Sequence, residues 1–203
     1  MILYLHGFRS SPQSFKARIT AKALQQRAFQ GTWFCPQLPP GPARAMAMCD
    51  EAIEQAIAQR GLDPATGLTV IGSSLGGFYA NCVAEKWQCR AVVLNPAVHP
   101  LQTLSGYVGK QTLFHTGEPF DFLPEYLDEL AQLTPPRPAD PQRYYLLACK
   151  GDEVLDWRDM ADWYQGSRGH ILEGGDHSLS AYEDWLPEIL DFALYTDNGH
   201  STS

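Results

Sequence analysis

The chain has 203 residues, 44% hydrophobic and 19% charged, a make-up that indicates one folded domain and excludes a disordered or collagen-like chain. Its 15 Lys and Arg stand against 23 Asp and Glu for a net charge of −8, with no Lys/Arg cluster, so neither nucleic acid nor an anionic membrane surface is an expected partner. A domain this long buries roughly 70% of the surface its unfolded chain exposes and needs no metal or disulfide staple to fold.

The opening run Ile2 to Leu5 reads as a short buried parallel strand that stops at His6-Gly7. With no basic lead and so short an apolar run, it is not expected to act as a signal peptide. Ser11-Pro12 marks a helix start, with Ile19, Ala23 and Leu24 on one face of a helix from Phe15 to Phe29. Thr32 to Pro36 is the next strand candidate, broken by Leu38-Pro39-Pro40-Gly41-Pro42. Met46, Cys49, Ile53 and Ile57 recur at helical spacing, with Gly61 as the C-cap.

Leu68 to Ile71 is a β-branched strand, followed by a helix from Leu75 to Trp87 and a buried strand Ala91 to Leu94 that closes at Asn95-Pro96. Tyr144 to Cys149 and Gly169 to Leu172 are further strands, each followed by a helix, at about 157–165 and 180–195. Strand and helix alternate throughout, so the expected fold is one doubly wound α/β sheet, mostly parallel, with helices on both faces. Residues 99–142 are too long for a simple crossover and carry an expected helix from Phe120 to Leu133. This insertion is expected to cap a site at the C-terminal ends of the strands. The polar tail 197–203 is expected to fray. No stretch approaches the ~18 apolar residues of a membrane span. Five cysteines, an odd number with no C-x-x-C pair, read as reduced thiols, so a cytoplasmic location is expected.

The motif with most chemical content is Gly72-Ser73-Ser74-Leu75-Gly76, placed between a strand and a helix. A tight strand-to-helix turn crowds the backbone around its serine, which requires glycine two residues away on both sides; only Ser74 meets that condition. Neither phosphate-cradling pattern, G-x-x-x-x-G-K-[ST] or G-x-G-x-x-G, fits the segment. A serine nucleophile needs a base. Gly174-Gly175-Asp176-His177 follows the last strand, on the same rim as Ser74, and makes His177 the candidate. His6, at the end of the first strand, is expected to shape its loop instead. The base needs an orienting carboxylate, and Asp152 in Lys150-Gly151-Asp152 is favoured over Glu153, Asp156 and Asp176. An oxyanion needs two donors: the backbone N–H of Leu75, next to the nucleophile, and one from the loop after the first strand, where Phe8 is favoured over Arg9.

His6-Gly7-Phe8, Gly72-Ser73-Ser74-Leu75-Gly76, Gly151-Asp152-Glu153-Val154-Leu155-Asp156 and Gly174-Gly175-Asp176-His177, with Asn95-Pro96-Ala97-Val98, together resemble the YqiA-like esterases of the α/β-hydrolase superfamily. The resemblance runs from Met1 to about residue 194. It implies a reduced α/β-hydrolase sheet and a carboxylic-ester hydrolase, with Ser74 as nucleophile, Asp152 as acid and His177 as base. It also leads one to expect Asn in many relatives where this chain has Asp176. The expected activity is hydrolysis of small or short-chain acyl esters. The alternatives are a thioesterase with the same triad, or a non-catalytic binding protein on the same fold. The histidines and cysteines are not spaced as metal ligands, so neither cofactor nor metal is expected, and the expected partner is a small-molecule acyl ester. Oligomeric state is not legible.

Overall fold

The computed structural model describes residues 1–195; the expected frayed tail lies outside them. In chain order its elements are β1 (Ile2–Leu5), α1 (Phe15–Gln26), β2 (Trp33–Phe34), α2 (Pro42–Arg60), α3 (Pro64–Gly67), β3 (Thr69–Ser73), α4 (Leu75–Trp87) and β4 (Arg90–Leu94). Then follow α5 (Pro100–Leu104), β5 (Gly109–Thr112), β6 (Pro119–Phe122), α6 (Glu125–Leu133), β7 (Tyr144–Cys149), α7 (Trp157–Trp163), β8 (Arg168–Leu172) and α8 (Tyr182–Leu194).

Six strands form one parallel sheet in the order β2-β1-β3-β4-β7-β8. The central strands are buried on both faces, so they read as unbroken apolar runs whose side chains alternate between two cores. Leu3 and Leu5 of β1 join the core under α2 and α4, while Ile2 and Tyr4 join the core under α1 and α8. The connection through α1 leads outward to β2, whereas the one through α4 leads the opposite way to β4. The C-terminal ends of β1 and β3 therefore flank the point where the winding reverses, the crevice in which open α/β sheets bind ligands.

Two expected elements change on folding. The strand Thr32 to Pro36 shrinks to the two residues of β2, at the sheet edge. The expected helix from Phe120 to Leu133 is corrected: Phe120 and Phe122 lie in β6, which pairs antiparallel with β5 as a separate hairpin, and the helix starts at Glu125. The turn of that hairpin is closed by Leu113 and Glu118 and by Gly117, whose φ of 71° suits glycine. Phe122 turns inward, 1% exposed, against Phe8 and Tyr126, whereas Phe114 at the hairpin end is 67% exposed.

Candidate active site

The turn from β3 into α4 is built around strain. Ser74 has φ 56° and ψ −120°, a conformation that costs a non-glycine residue about 1–3 kcal/mol and persists only where its surroundings over-determine it. They do so here. Its N–H donates to the Leu94 carbonyl at 3.0 Å, and its carbonyl accepts from Gly77 at 2.8 Å and Ala97 at 3.0 Å. The flanking glycines are steric necessities: a Cβ on Gly72 would stand 2.1 Å from the Gly76 carbonyl oxygen, and one on Gly76 only 1.9 Å from that of Leu5. Ser74 occupies the N-cap of α4 without using its side chain to cap the helix, which leaves the hydroxyl free for another partner.

That partner is His177. Its Nε2 lies 3.0 Å from Ser74 Oγ, and its Nδ1 lies 2.8 Å from Asp152 Oδ2. The Asp152 side chain is wholly buried, and its other oxygen, Oδ1, accepts from the Val154 and Leu155 amides at 2.8 Å each. The carboxylate is thus fixed by three donors before any substrate arrives, and the imidazole has one orientation available. Asp156, the alternative carboxylate, instead caps α7 by accepting from the Arg158 amide at 2.9 Å. Asp176 is turned to Ser180, whose amide and hydroxyl both donate to it and hold its carboxyl below the usual range. Glu153 accepts from the His177 amide at 2.9 Å.

The Leu75 amide is the first of α4 and has no intrahelical acceptor, so it faces the elbow at the positive end of the helix dipole. The Phe8 loop lies alongside because Gly7 allows it: a Cβ there would sit 3.2 Å from Ser74 Cβ. His6 shapes that loop. Its Nε2 accepts from the Leu38 amide at 3.1 Å and its Nδ1 donates to the Gly7 carbonyl at 2.9 Å. Burial pulls its pKa down to about 4, so the ring is neutral in this role. Burial also pushes the thiols of Cys35, Cys49, Cys82 and Cys89 up to about 12, which leaves them poor nucleophiles. Among the described residues no cluster of His, Cys, Asp or Glu could hold a metal ion.

Sequence reasoning gave Asn95 no role in the site, reading it as a strand terminator and as part of the Asn95-Pro96-Ala97-Val98 motif. It is fully buried, with φ 39°. Its side chain accepts from the Cys149 amide at 2.8 Å and donates to the carbonyls of Asp176 at 3.0 Å and His177 at 3.2 Å. It thereby ties the ends of β4 and β7 to the loop that carries the imidazole. The only sequence signal was an Asn at a strand end, a residue that tolerates positive φ. Asn95→Ala is expected to lower stability by about 3 kcal/mol, since three buried backbone groups lose their partner. Chemical denaturation compared with wild type measures this, and a loss under about 0.5 kcal/mol, the range of an ordinary surface change, would contradict it.

Two cavities open on Ser74 and His177. One, about 160 Å³, is apolar and lined by Leu75, Ala97, Pro100, Leu104, Tyr107 and Val154 among others. The second, about 470 Å³, lies on the side of Tyr4, Ser10, Ser14, Lys16 and Ser178. The β5–β6 hairpin borders both through Phe114. It is latched to the loop after β1: the Phe114 amide donates to the Arg9 carbonyl at 2.8 Å, and Arg9 Nε and Nη2 donate to the carbonyl and hydroxyl of Thr112 at 2.8 and 3.1 Å. The Arg9 guanidinium also lies over the Phe114 ring, 4.4 Å from its centroid.

Solved structures share this architecture. The chain is similar to Est1E from Butyrivibrio proteoclasticus with bound ferulic acid at a TM-score of 0.66 and 12% identity, over 95% of this chain and 88% of that one. It matches a structure from work on LipS and LipT, two metagenome-derived lipolytic enzymes, at a TM-score of 0.65 and 16% identity, covering 95% and 92% of the two chains. The esterase domain of a Rhodothermus marinus protein matches at a TM-score of 0.61 and 22% identity, covering 93% and 83%. At these identities the likeness establishes the α/β-hydrolase fold. The model of the Uncharacterised protein family (UPF0227) matches residues 1–194, and the chain, as its resemblance to the YqiA-like esterases implied, belongs to that family.

Proposed function

We propose that the chain is a serine carboxylesterase for small or short-chain acyl esters. The observation that carries the reading is the unbroken hydrogen-bond chain from Asp152 through His177 to a serine held at a strained elbow. In the proposed cycle Nε2 of His177 takes the Ser74 proton as Oγ attacks the acyl carbonyl, and Asp152 stabilises the imidazolium that forms. The amides of Leu75 and Phe8 hold the oxyanion; the loss of one such donor costs ~10²–10³ in rate in known cases. His177 returns the proton to the leaving alcohol, then activates water against the acyl-enzyme. The 160 Å³ apolar cavity supports the short-acyl preference, since drug-sized ligands take several hundred Å³. Thioesters would be cleaved by the same groups in the same order.

The test is intact mass after fluorophosphonate treatment of wild type, Ser74→Ala and His177→Ala. One adduct is expected on wild type, none on Ser74→Ala, and labelling at least tenfold slower on His177→Ala. A folded wild-type protein without an adduct would overturn the reading and favour a non-catalytic binding protein.

A further inference from the structure

The larger cavity borders Ser74 and His177 but has no part in the proposed cycle, and among its apolar walls, Phe8, Phe15 and Phe114, it carries a cluster of polar groups. Lys16 lines it from the first turn of α1, and its Nζ donates to the Ser178 carbonyl at 2.6 Å, one residue from the catalytic imidazole. Among the described residues no carboxylate stands within ion-pair reach of this ammonium; Asp176 and Asp152 act on it only at longer range. Two further donors on Nζ remain for a partner. Ser14 is the N-cap of α1, a twelve-residue helix; its hydroxyl takes up the Ala17 amide at 3.4 Å, which leaves the Phe15 and Lys16 amides without intrahelical acceptors, and the positive end of the helix dipole faces the same cavity.

A separate observation comes from Tyr4. The side chain lines the cavity and the residue is fully buried, yet its hydroxyl has no hydrogen-bond partner; Ser14 lies beside it without meeting hydrogen-bond geometry. A buried hydroxyl left unpaired costs stability, and such a group calls for an acceptor. A cation, a helix N-terminus and an idle hydroxyl donor therefore converge on one space that contains the proposed nucleophile. All three favour negative charge on whatever fills it. The smaller, more apolar cavity also has a cation in its lining, Arg9, but that guanidinium is already engaged by the carbonyl and hydroxyl of Thr112 and by the Phe114 ring.

We infer that the cavity is an anion subsite, in which Lys16, the start of α1 and the Tyr4 hydroxyl receive a carboxylate or phosphate on the alcohol portion of the ester. The inference rests on the esterase reading and names its substrate class: a short acyl group on an alcohol that carries an anionic substituent. Lys16 is then a specificity-determining residue, distinct from the groups that move protons.

The test compares 4-carboxyphenyl acetate with its neutral isostere 4-carbamoylphenyl acetate, and adds 4-(phosphonooxy)phenyl acetate, on wild type, Lys16→Met and Lys16→Arg. The readout is the ratio of kcat/KM for anionic over neutral ester. That ratio is expected to favour the anion in wild type, to fall roughly 10- to 100-fold in Lys16→Met and to be largely kept in Lys16→Arg. A larger fall with the phosphate than with the carboxylate assigns the site to phosphate, and the reverse order to carboxylate. The contact of Lys16 with Ser178 could also matter for folding alone, in which case both esters would slow together; an unchanged ratio overturns the inference. Should Lys16→Met fail to fold, wild type still decides. Burial brings the Lys16 ammonium down to about pKa 8, with Asp176, Cys149 and Asp152 the charged or titratable groups that act on it. Anion preference is therefore greatest below pH 8 and fades as pH rises through it, and a flat profile counts against the site. If no ester is cleaved and no fluorophosphonate adduct forms, the esterase reading has failed and the subsite is judged by binding alone. Calorimetry with 4-hydroxybenzoate and 4-hydroxyphenyl phosphate on Ser74→Ala, with and without Lys16→Met, then decides. Binding lost with Lys16 supports the site; no binding, or binding unaffected, refutes it.

Discussion

Asp152→Asn is expected to lower kcat on an activated acetate ester about 10⁴-fold while the protein folds as before. The size follows from how the carboxylate is shared. Asp152 Oδ1 accepts from two amides, Val154 and Leu155, and Oδ2 accepts from His177 Nδ1. An asparagine has only one acceptor oxygen, and two amide donors outbid one imidazole donor for it. The amide nitrogen must then face Nδ1 and donate to it. The proton of a neutral imidazole moves to Nε2, which points at Ser74 Oγ with a hydrogen where a lone pair is needed. The fold is spared because both backbone amides keep their acceptor; Asp152→Ala would strand them and lose stability as well. Stopped-flow or steady-state kinetics on both variants, with circular dichroism for folding, separates these outcomes. An Asp152→Asn enzyme within tenfold of wild type would show that another carboxylate orients the imidazole.

Gly76→Ala is expected to abolish folding, or to cost more than about 4 kcal/mol, against the ordinary rule for helices. Alanine in place of glycine within a helix is worth about 1 kcal/mol in favour of the helix. Here the added methyl would stand 1.9 Å from the Leu5 carbonyl oxygen, 2.6 Å from its carbon and 2.8 Å from the His6 oxygen. None of these is a flexible side-chain end; each is backbone at the C-terminal end of β1. Helix α4 would have to withdraw from the sheet by more than an ångström, opening voids beside Phe78, Ala80 and Val83, all buried against it. The elbow would leave its place above β1 with the helix. Soluble yield and thermal unfolding of Gly76→Ala measure the effect, and a variant as stable as wild type would contradict the close approach.

These two cases indicate why the elbow and its partners were legible in the sequence. Each is a local demand that leaves a residue signature: a glycine where backbones nearly touch, a serine between two of them, a carboxylate and an imidazole at successive strand ends. The central strands were equally plain, because burial on both faces leaves β-branched and apolar runs. The hairpin was not. Its strands β5 and β6 are largely exposed, so neither alternation nor an apolar run marks them, and Phe120 and Phe122 read as the start of the helix that begins at Glu125. The role of Asn95 escaped notice because it is tertiary: the three partners are 54, 81 and 82 residues away. The larger cavity likewise arises from contact between segments, Lys16 and Ser178 being 162 residues apart, and no spacing in the sequence announces it.

The Arg9 latch links two properties that are usually adjusted separately. Arg9 is the neighbour of Phe8, sits at φ 61°, and is joined to the hairpin by three hydrogen bonds and a ring contact. A hairpin that swings outward must either break all four contacts or drag Arg9 along, and with it the neighbouring Phe8, the proposed second oxyanion donor. On the proposed reading, admission of bulky molecules and competence for acyl transfer are thereby set in opposition: a conformation wide enough to welcome a large guest would displace the loop that carries one of the two proposed oxyanion donors. Selection by size can thus operate through timing as well as through cavity walls.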